Sequence, residues 1–264
     1  MPIFEFIYEI WSTMAFYDNS KEQRALLVGE IKERLFEGLL RKDTFTALRY
    51  FADEDTYIRK AAYLNIGKLY VEQTQLSNDI LSLLSGLLLH ADFKVRQTVI
   101  NAAGEIGKGN FEVVQTFFDT GLFDKHHSPR NAVIGSIKKM GEVNPEPILK
   151  WAQTYLHHPD KEIRREICHG IELRGRKHPQ DILPLLQQLE KDTTTRVRNT
   201  LVHVLGQIAY KKGCLEIIIE DLKHWENKQL VQAALDEIID VHDRYRNFSF
   251  YTQEQANAYI KKQF

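Results

Sequence analysis

The chain has 264 residues, of which 43% are hydrophobic and 27% charged, with a formal net charge of −1. This is the composition of a folded, soluble chain rather than a disordered or fibrous one. Two cysteines, Cys168 and Cys214, without a C-x-x-C pairing, argue against a disulfide framework or a zinc ribbon and fit a reducing compartment. The first residues are apolar but contain Glu5 and Glu9, with no basic region or small-residue cleavage site, so a signal peptide is not expected. No apolar run reaches bilayer-spanning length, and a cytoplasmic protein is expected.

Residues 1–50 read as N-terminal capping helices, with Ser20 to Gln23 fitting a capping box. From residue 51 a repeat takes over. Arg59, Arg96, Arg130, Arg164 and Arg198 are separated by 37, 34, 34 and 34 residues, a period that marks a repeat architecture. With each Arg as origin, positions +3, +7 and +10 are Ala62, Ile66, Leu69; Val99, Ala103, Ile106; Val133, Ile137, Met140; Ile167, Ile171, Arg174; and Leu201, Leu205, Ile208. That is one apolar stripe per repeat at helical spacing. Position +11 is Gly107, Gly141, Gly175 or Ala209, a small residue that ends a helix or lets a neighbour approach.

A second amphipathic segment precedes each of these helices, as in Ile182, Leu185, Leu186 and Leu189. Pro145 and Pro147 after Asn144, and Pro179 after His178, stand at expected helix starts; Pro184 lies further in and is expected to kink its helix. A sixth, degenerate unit keeps Leu230, Ala234 and Ile238 but has Val231 in place of the Arg. Thr252 to Gln255 is a second capping box in a C-terminal cap, residues 243–264. No alternating β-branched run or hairpin dipeptide competes with the helices.

The pattern of Asp, then an aliphatic residue, then Arg at the start of the second helix (Asp55–Ile58–Arg59, Asp92–Val95–Arg96, Asp160–Ile163–Arg164) resembles the HEAT-repeat family. Repeat 3 has His126 in place of the Asp, and repeat 5 has Thr194 with Asp192 two residues earlier. The resemblance implies an all-α, right-handed α-solenoid of antiparallel helix pairs. It would form one domain over 1–264, with repeats over 51–242, in which the Arg and Asp residues bond between successive repeats.

Three sets of residues stand out as candidates for function. The first is the face of the second helix that points away from the core. Position +1 reads Lys60, Gln97, Asn131, Arg165, Asn199, and position +5 reads Leu64, Asn101, Gly135, His169, His203. In a HEAT-like array these line the concave face, a usual binding surface of solenoids. Gln97, Asn101, Asn131, Arg165, His169, Asn199 and His203 are therefore the expected partner-binding residues. A plain solvated face is the alternative, against which stands the scarcity of Lys and Glu.

The second set is basic. Residues 126–215 carry 15 Lys/Arg against 9 Asp/Glu, and the remainder 20 against 27. Arg174, Arg176 and Lys177, with Lys211 and Lys212 one repeat later, are candidates to follow a phosphate backbone. Solvated loops are the alternative. The third set, His126–His127 and His157–His158, lacks short-range ligand spacing, and no His-Glu dipeptide occurs. No metal or other cofactor is expected. Cys168 and His169 are adjacent on a helix, so their side chains diverge.

The segment from Arg164–Arg165 through Pro184 to Val197–Leu205 also resembles the HEAT-like bacterial DNA alkylation-repair glycosylases. That resemblance implies DNA binding, with Arg164 as the phosphate-gripping Arg and His203 where a helix-borne Trp is expected. Around Pro129 and Arg130 the chain offers neither the Asp nor the Trp of that family, and Trp11, Trp151 and Trp225 lie elsewhere. The expected function is a non-enzymatic binding or scaffold module for a protein or nucleic acid. The alternative is a DNA-binding protein of the alkylpurine glycosylase type.

Overall fold

Several helices of the described residues start where a side chain takes over a backbone donor that the first turn leaves unpaired. The computed structural model describes residues 15–264, so Glu5, Glu9 and Trp11 lie outside the described residues. After a short turn at Phe16–Asp18, helix α1 (Lys21–Arg41) opens on the full Ser20/Gln23 capping box. The repeats follow as pairs: α2 (Thr44–Phe51) with α3 (Thr56–Glu72), α4 (Ser77–Leu88) with α5 (Phe93–Gly107), and α6 (Gln115–Gly121) with α7 (His127–Val143). Next come α8 (Pro145–Gln153) with α9 (Lys161–Gly170) and α10 (Glu172–Gly175), α11 (Pro179–Gln187) with α12 (Thr195–Ala209), and α13 (Cys214–Leu222) with α14 (Lys228–Arg244). Helix α15 (Gln253–Gln263) closes the chain on the Thr252/Gln255 capping box. Among the described residues no strand occurs, and the fold is the all-α, helix-pair type of α-solenoids. Pro145 and Pro179 occupy first-turn positions, where the missing N–H costs nothing.

The chain forms two compact units, Met1–Ser136 and Ile137–Phe264. In the first, α1, α3 and α5 pack side by side as one layer, with α2 and α4 against them. In the second, α9, α12 and α14 form the corresponding layer, backed by α11 and α13. The apolar stripe supplies the cores. Ala62, Ile66, Val99, Ala103 and Val133 are fully buried in the first unit, as are Met140, Ile167, Leu201, Leu205 and Ile208 in the second. Burial of each larger side chain is worth about 1.5–3 kcal/mol.

The arginine column joins the turns. Arg96 donates through Nη1 to the carbonyls of His90 and Ala91 (both 2.8 Å). Its Nε and Nη2 grip both oxygens of Asp124 in the next turn at 2.6 and 2.9 Å. Arg164 repeats the arrangement: Nη1 reaches the carbonyls of His158 and Pro159 (2.7 and 3.0 Å), while Nε and Nη2 hold Asp192 (2.6 and 3.3 Å). The acids that accept between repeats are thus Asp124 and Asp192. Asp92 and Asp160, which the sequence pattern singles out, cap their own helices by accepting from the N–H of Lys94 and Glu162. Asp55 caps α3 and also accepts from the N–H of Phe16 (2.7 Å). Both clips are largely desolvated, with side-chain exposures of 8% and 9% for Arg96–Asp124 and 15% and 7% for Arg164–Asp192.

Removing one partner of such a pair strands the other charge. Asp192→Ala is expected to destabilise the protein by about 3 kcal/mol, read as a lowered urea midpoint. An effect within about 0.5 kcal/mol of zero, the usual range for a surface change, would show that the clip does not hold the turns.

Candidate functional site

The face of the second helix follows from helical geometry: positions +1, +5, +8 and +12 from each ladder Arg lie within about 60° of one another. The +8 column reads Gly67, Gly104, Lys138, Glu172 and Gly206. Glycine belongs there because adjacent helices touch. A Cβ on Gly104 would come within 2.5 Å of Ser136 Oγ, and one on Gly206 within 2.6 Å of Glu237 Cγ. In repeats 3 and 4 a charge replaces the glycine. Neither Lys138 nor Glu172 is among the residues that apolar periodicity marks, although this column shows them at once.

Glu172 opens α10, directly after a one-residue break at Ile171 in the run from α9. Its residue is only 1% exposed. Lys138 Nζ lies 3.1 Å from Oε2 and Arg176 Nη2 2.5 Å from Oε1, while His169 Nδ1 stands 3.6 Å from Oε2. Arg176 Nη2 also donates to Gln207 Oε1 (2.9 Å) on α12. Burial alone would raise the Glu172 carboxyl, but the Lys138 and Arg176 charges and their hydrogen bonds together hold it below the ordinary glutamate value. Burial and the Lys138 charge push the His169 imidazole down, more than Glu172 raises it. The site thus holds an ionised carboxylate behind an imidazole that is neutral at pH 7.

One repeat on, His203 faces His169 with ring centroids 6.0 Å apart and planes 10° from parallel. Its Nδ1 lies 3.6 Å from Glu237 Oε1 on α14, a carboxylate that Arg244 also engages. Arg165 and Asn199 complete the +1 and +5 positions of the two repeats. These four residues, with Thr195, Arg196 and Thr200, line an open hollow of about 460 Å³. Four of the seven expected partner-binding residues therefore come together in the second unit. Gln97 and Asn101 on α5 and Asn131 on α7 are half-buried or exposed in the first.

The phosphate-binding candidates have other engagements. Arg164 is held in its clip with Asp192. Arg174, at the one polar +10 position, bonds Asp181 on α11 through Nε at 2.7 Å, so an ion pair stands where other repeats pack apolar side chains. Arg176 is taken by Glu172 and Gln207, and Lys177 by Glu142 (2.9 Å). Lys211 and Lys212 instead place their ammonium groups over the rings of Tyr210 (4.8 Å) and Phe250 (5.6 Å).

His126 stacks on Phe93 at 3.8 Å and accepts from the N–H of Ser128, while His158 accepts from that of Asp160. Trp151 and Trp225 are core residues. Cys168 is fully buried, and that burial drives its thiol pKa far up. Among the described residues, His169, Glu172 and His203 place one ligand atom each within 4.8 Å of one another. Both oxygens of Glu172 are already bound by Lys138 and Arg176, so a metal ion would have to displace a cation and then sit beside it, which Coulomb repulsion opposes.

Residues 148–236 match the family model described as HEAT repeats. No curated protein matches the chain. Among solved structures it is similar to AlkD2 from Streptococcus mutans, at 16% identity over 58% of this chain and 78% of that one, with a TM-score of 0.46. A crescerin structure containing a TOG domain array gives 16% identity over 78% and 88%, with a TM-score of 0.48. The archaeal HEAT-like repeats protein from Thermococcus onnurineus NA1 gives 16% over 84% and 98%, with a TM-score of 0.39. Likenesses at this level carry no argument about activity.

Glu172 has a lowered carboxyl pKa in the folded state, so its contribution to stability is fully present above the ordinary value of 4.5 and is lost as pH falls through the folded value. Glu172→Gln is expected to lower the urea midpoint at pH 7 and to flatten the loss of stability below about pH 4.5. Equal acid sensitivity in the variant and the parent would remove Glu172 from the charge balance of the site.

Proposed function

We propose that the chain is a non-enzymatic binding module, a HEAT-type scaffold that holds an extended polypeptide segment on the B-helix face of its second unit. One observation supports this most. Side chains from α9 and α12, two successive repeats, converge on a single open hollow lined by Arg165, His169, Asn199 and His203. An Asn carboxamide offers a donor and an acceptor side by side, matching the peptide group, and hydroxyls and guanidinium add further polar contacts. Gln97, Asn101 and Asn131 extend the same chemistry on the corresponding helix face of the first unit. Covalent catalysis would need an activated nucleophile, and the thiol next to His169 in the chain, Cys168, is buried and held protonated.

A cytoplasmic setting is part of this reading. It draws support from two cysteines that remain free thiols, and no helix of the described residues is long and apolar enough to cross a membrane.

DNA is the second reading, and Lys211 and Lys212 favour it. Neither has a carboxylate partner among the described residues, and both sit beside aromatic rings, the pairing of cation and π-face that nucleic acids use. The remaining candidates would first have to leave Asp192, Asp181, Glu172 and Glu142. That cost makes the polypeptide reading the stronger.

The two readings separate in one set of titrations, using peptide arrays and a labelled DNA duplex at about 50 and about 200 mM salt. Saturable peptide binding is expected, weakened at least about tenfold by Asn199→Ala, a loss of about 1.4 kcal/mol. Duplex binding that falls steeply with salt and is lost in Lys211→Glu/Lys212→Glu, with no peptide bound, would reverse the order of the two readings.

A further inference from the structure

The hollow differs from a plain polar face in how its hydrogen-bonding groups are committed. The carboxylates around it are taken. Glu162 accepts from Arg165 Nε through Oε2 (2.9 Å) and pairs with Arg196 Nη1 through Oε1 (3.3 Å). Glu172 is bound by Lys138 and Arg176, and Glu237 by Arg244. Its donors are not all taken. Arg165 spends Nε on Glu162 and Nη2 on Glu166, which leaves Nη1 without an acceptor among the described residues. The Arg196 side chain, 64% exposed, has a single ion pair among the described residues, to Glu162. The Asn199 amide has no protein partner among the described residues.

Two guanidinium groups from successive repeats are therefore held side by side by one shared carboxylate, with spare N–H groups beside a hollow. Glu162 and Glu166 balance the two guanidinium charges, so what the hollow offers an incoming anion is a pair of fixed guanidinium groups with N–H donors that have no acceptor among the described residues. Guanidinium groups suit planar carboxylates and tetrahedral phosphoryl or sulfo groups, since both offer oxygens spaced for paired N–H donors.

We propose that this hollow is an oxyanion site that receives one carboxylate, phosphoryl or sulfo group of the bound segment, gripped by Arg165, Arg196 and Asn199, which line it together with the His169–His203 pair. The inference rests on the polypeptide reading for its source of the anion. The His169 imidazole tunes it. His169 is faced by Glu172 and Arg165 from its own stretch, Lys138 from α7 and His203 from α12, and His203 is faced by Glu237 from α14, which Arg244 also engages. The carboxylates named beside the rings already carry a cation, so a proton gained by the His169 ring adds net positive charge to the hollow. Anion affinity then rises as the solution turns acid.

Isothermal titration of the full chain with inorganic sulfate, inorganic phosphate and acetate, at about pH 5.5 and about pH 7.5 on either side of the histidine range, tests this. Sulfate keeps its charge over this range, so any change with pH belongs to the protein. Saturable sulfate binding is expected at one site, roughly tenfold tighter at the lower pH, the change that one unit of pKa movement on one imidazole supplies. Arg165→Ala/Arg196→Gln abolishes it, and His169→Asn flattens the pH dependence. Acetate competing as well as sulfate identifies a carboxylate as the natural group; phosphate and sulfate outcompeting acetate identifies a tetrahedral one.

Absence of saturable binding of all three anions overturns the oxyanion site, as does binding that survives the double arginine variant. A bound peptide without any acidic or phosphorylated residue, still dependent on Asn199, overturns this inference and leaves the polypeptide module standing. Anion binding with no peptide bound does the reverse.

Discussion

The guanidinium clip is the constraint on which the rest of the structure depends. A helix-pair repeat buries apolar stripes against its neighbours, but an apolar stripe slides, and nothing in it fixes the angle at which one pair follows the next. Arg96 and Arg164 supply that register. Each ties down two carbonyls of its own turn and both oxygens of an aspartate in the following turn. The turn carbonyls would otherwise need water, and the aspartate would otherwise be an unpaired charge at under 10% exposure. Desolvation offsets much of the attraction of such a pair, so its contribution is to specificity of arrangement more than to net stability.

The residue six before each ladder Arg explains where the Arg96 and Arg164 clips find their acceptors. That position reads Asp53, His90, Asp124, His158 and Asp192. All five repeats thus place there a side chain able to accept the N–H two residues on, and Asp53, His90, Asp124, His158 and Asp192 each do so. Only an aspartate can also take a guanidinium in fork geometry. Arg59, followed by the turn that carries His90, bonds its own turn through Asp53 and Glu54 carbonyls and Thr56. Beyond Arg198 the corresponding position is Glu226, whose carboxylate pairs with Lys191. Among the described residues, each of the two units contains at least one complete clip.

Much of this was legible in the sequence where a single residue's own chemistry decides the outcome. The stripes at +3, +7 and +10 are core, the prolines at 145 and 179 open helices, and Ser20 and Thr252 cap as their spacing implies. Position +11 divided by context: Gly107 and Gly175 end helices, whereas Gly141 lies inside α7. What spacing could not show is the choice among several partners of similar sequence distance. Asp92 and Asp124 are both near the Arg96 guanidinium in the chain's repeat logic, and only the path of the turn decides that the second accepts from it. The basic loop residues show the same limit, since the acids that hold Arg174, Arg176 and Lys177 lie 7, 4 and 35 residues away.

Glu172 shows why the hollow lies where it does. At +8 the neighbouring repeats keep glycine because their helices touch, so a buried carboxylate there gives up close packing and requires two cations to neutralise it. Neither change favours stability. What the exchange provides is position: with Lys138 and Arg176 fixed on Glu172, His169 is held against the carboxylate, and its ring lies parallel to that of His203 in the next repeat. A local packing rule is thus broken at the same place where outward-facing donors collect, as expected where a fold gives up stability for a binding surface. The arginine column fixes the register of the repeats, and the glycine column, through its two exceptions, marks which stretch of their shared face differs from the rest.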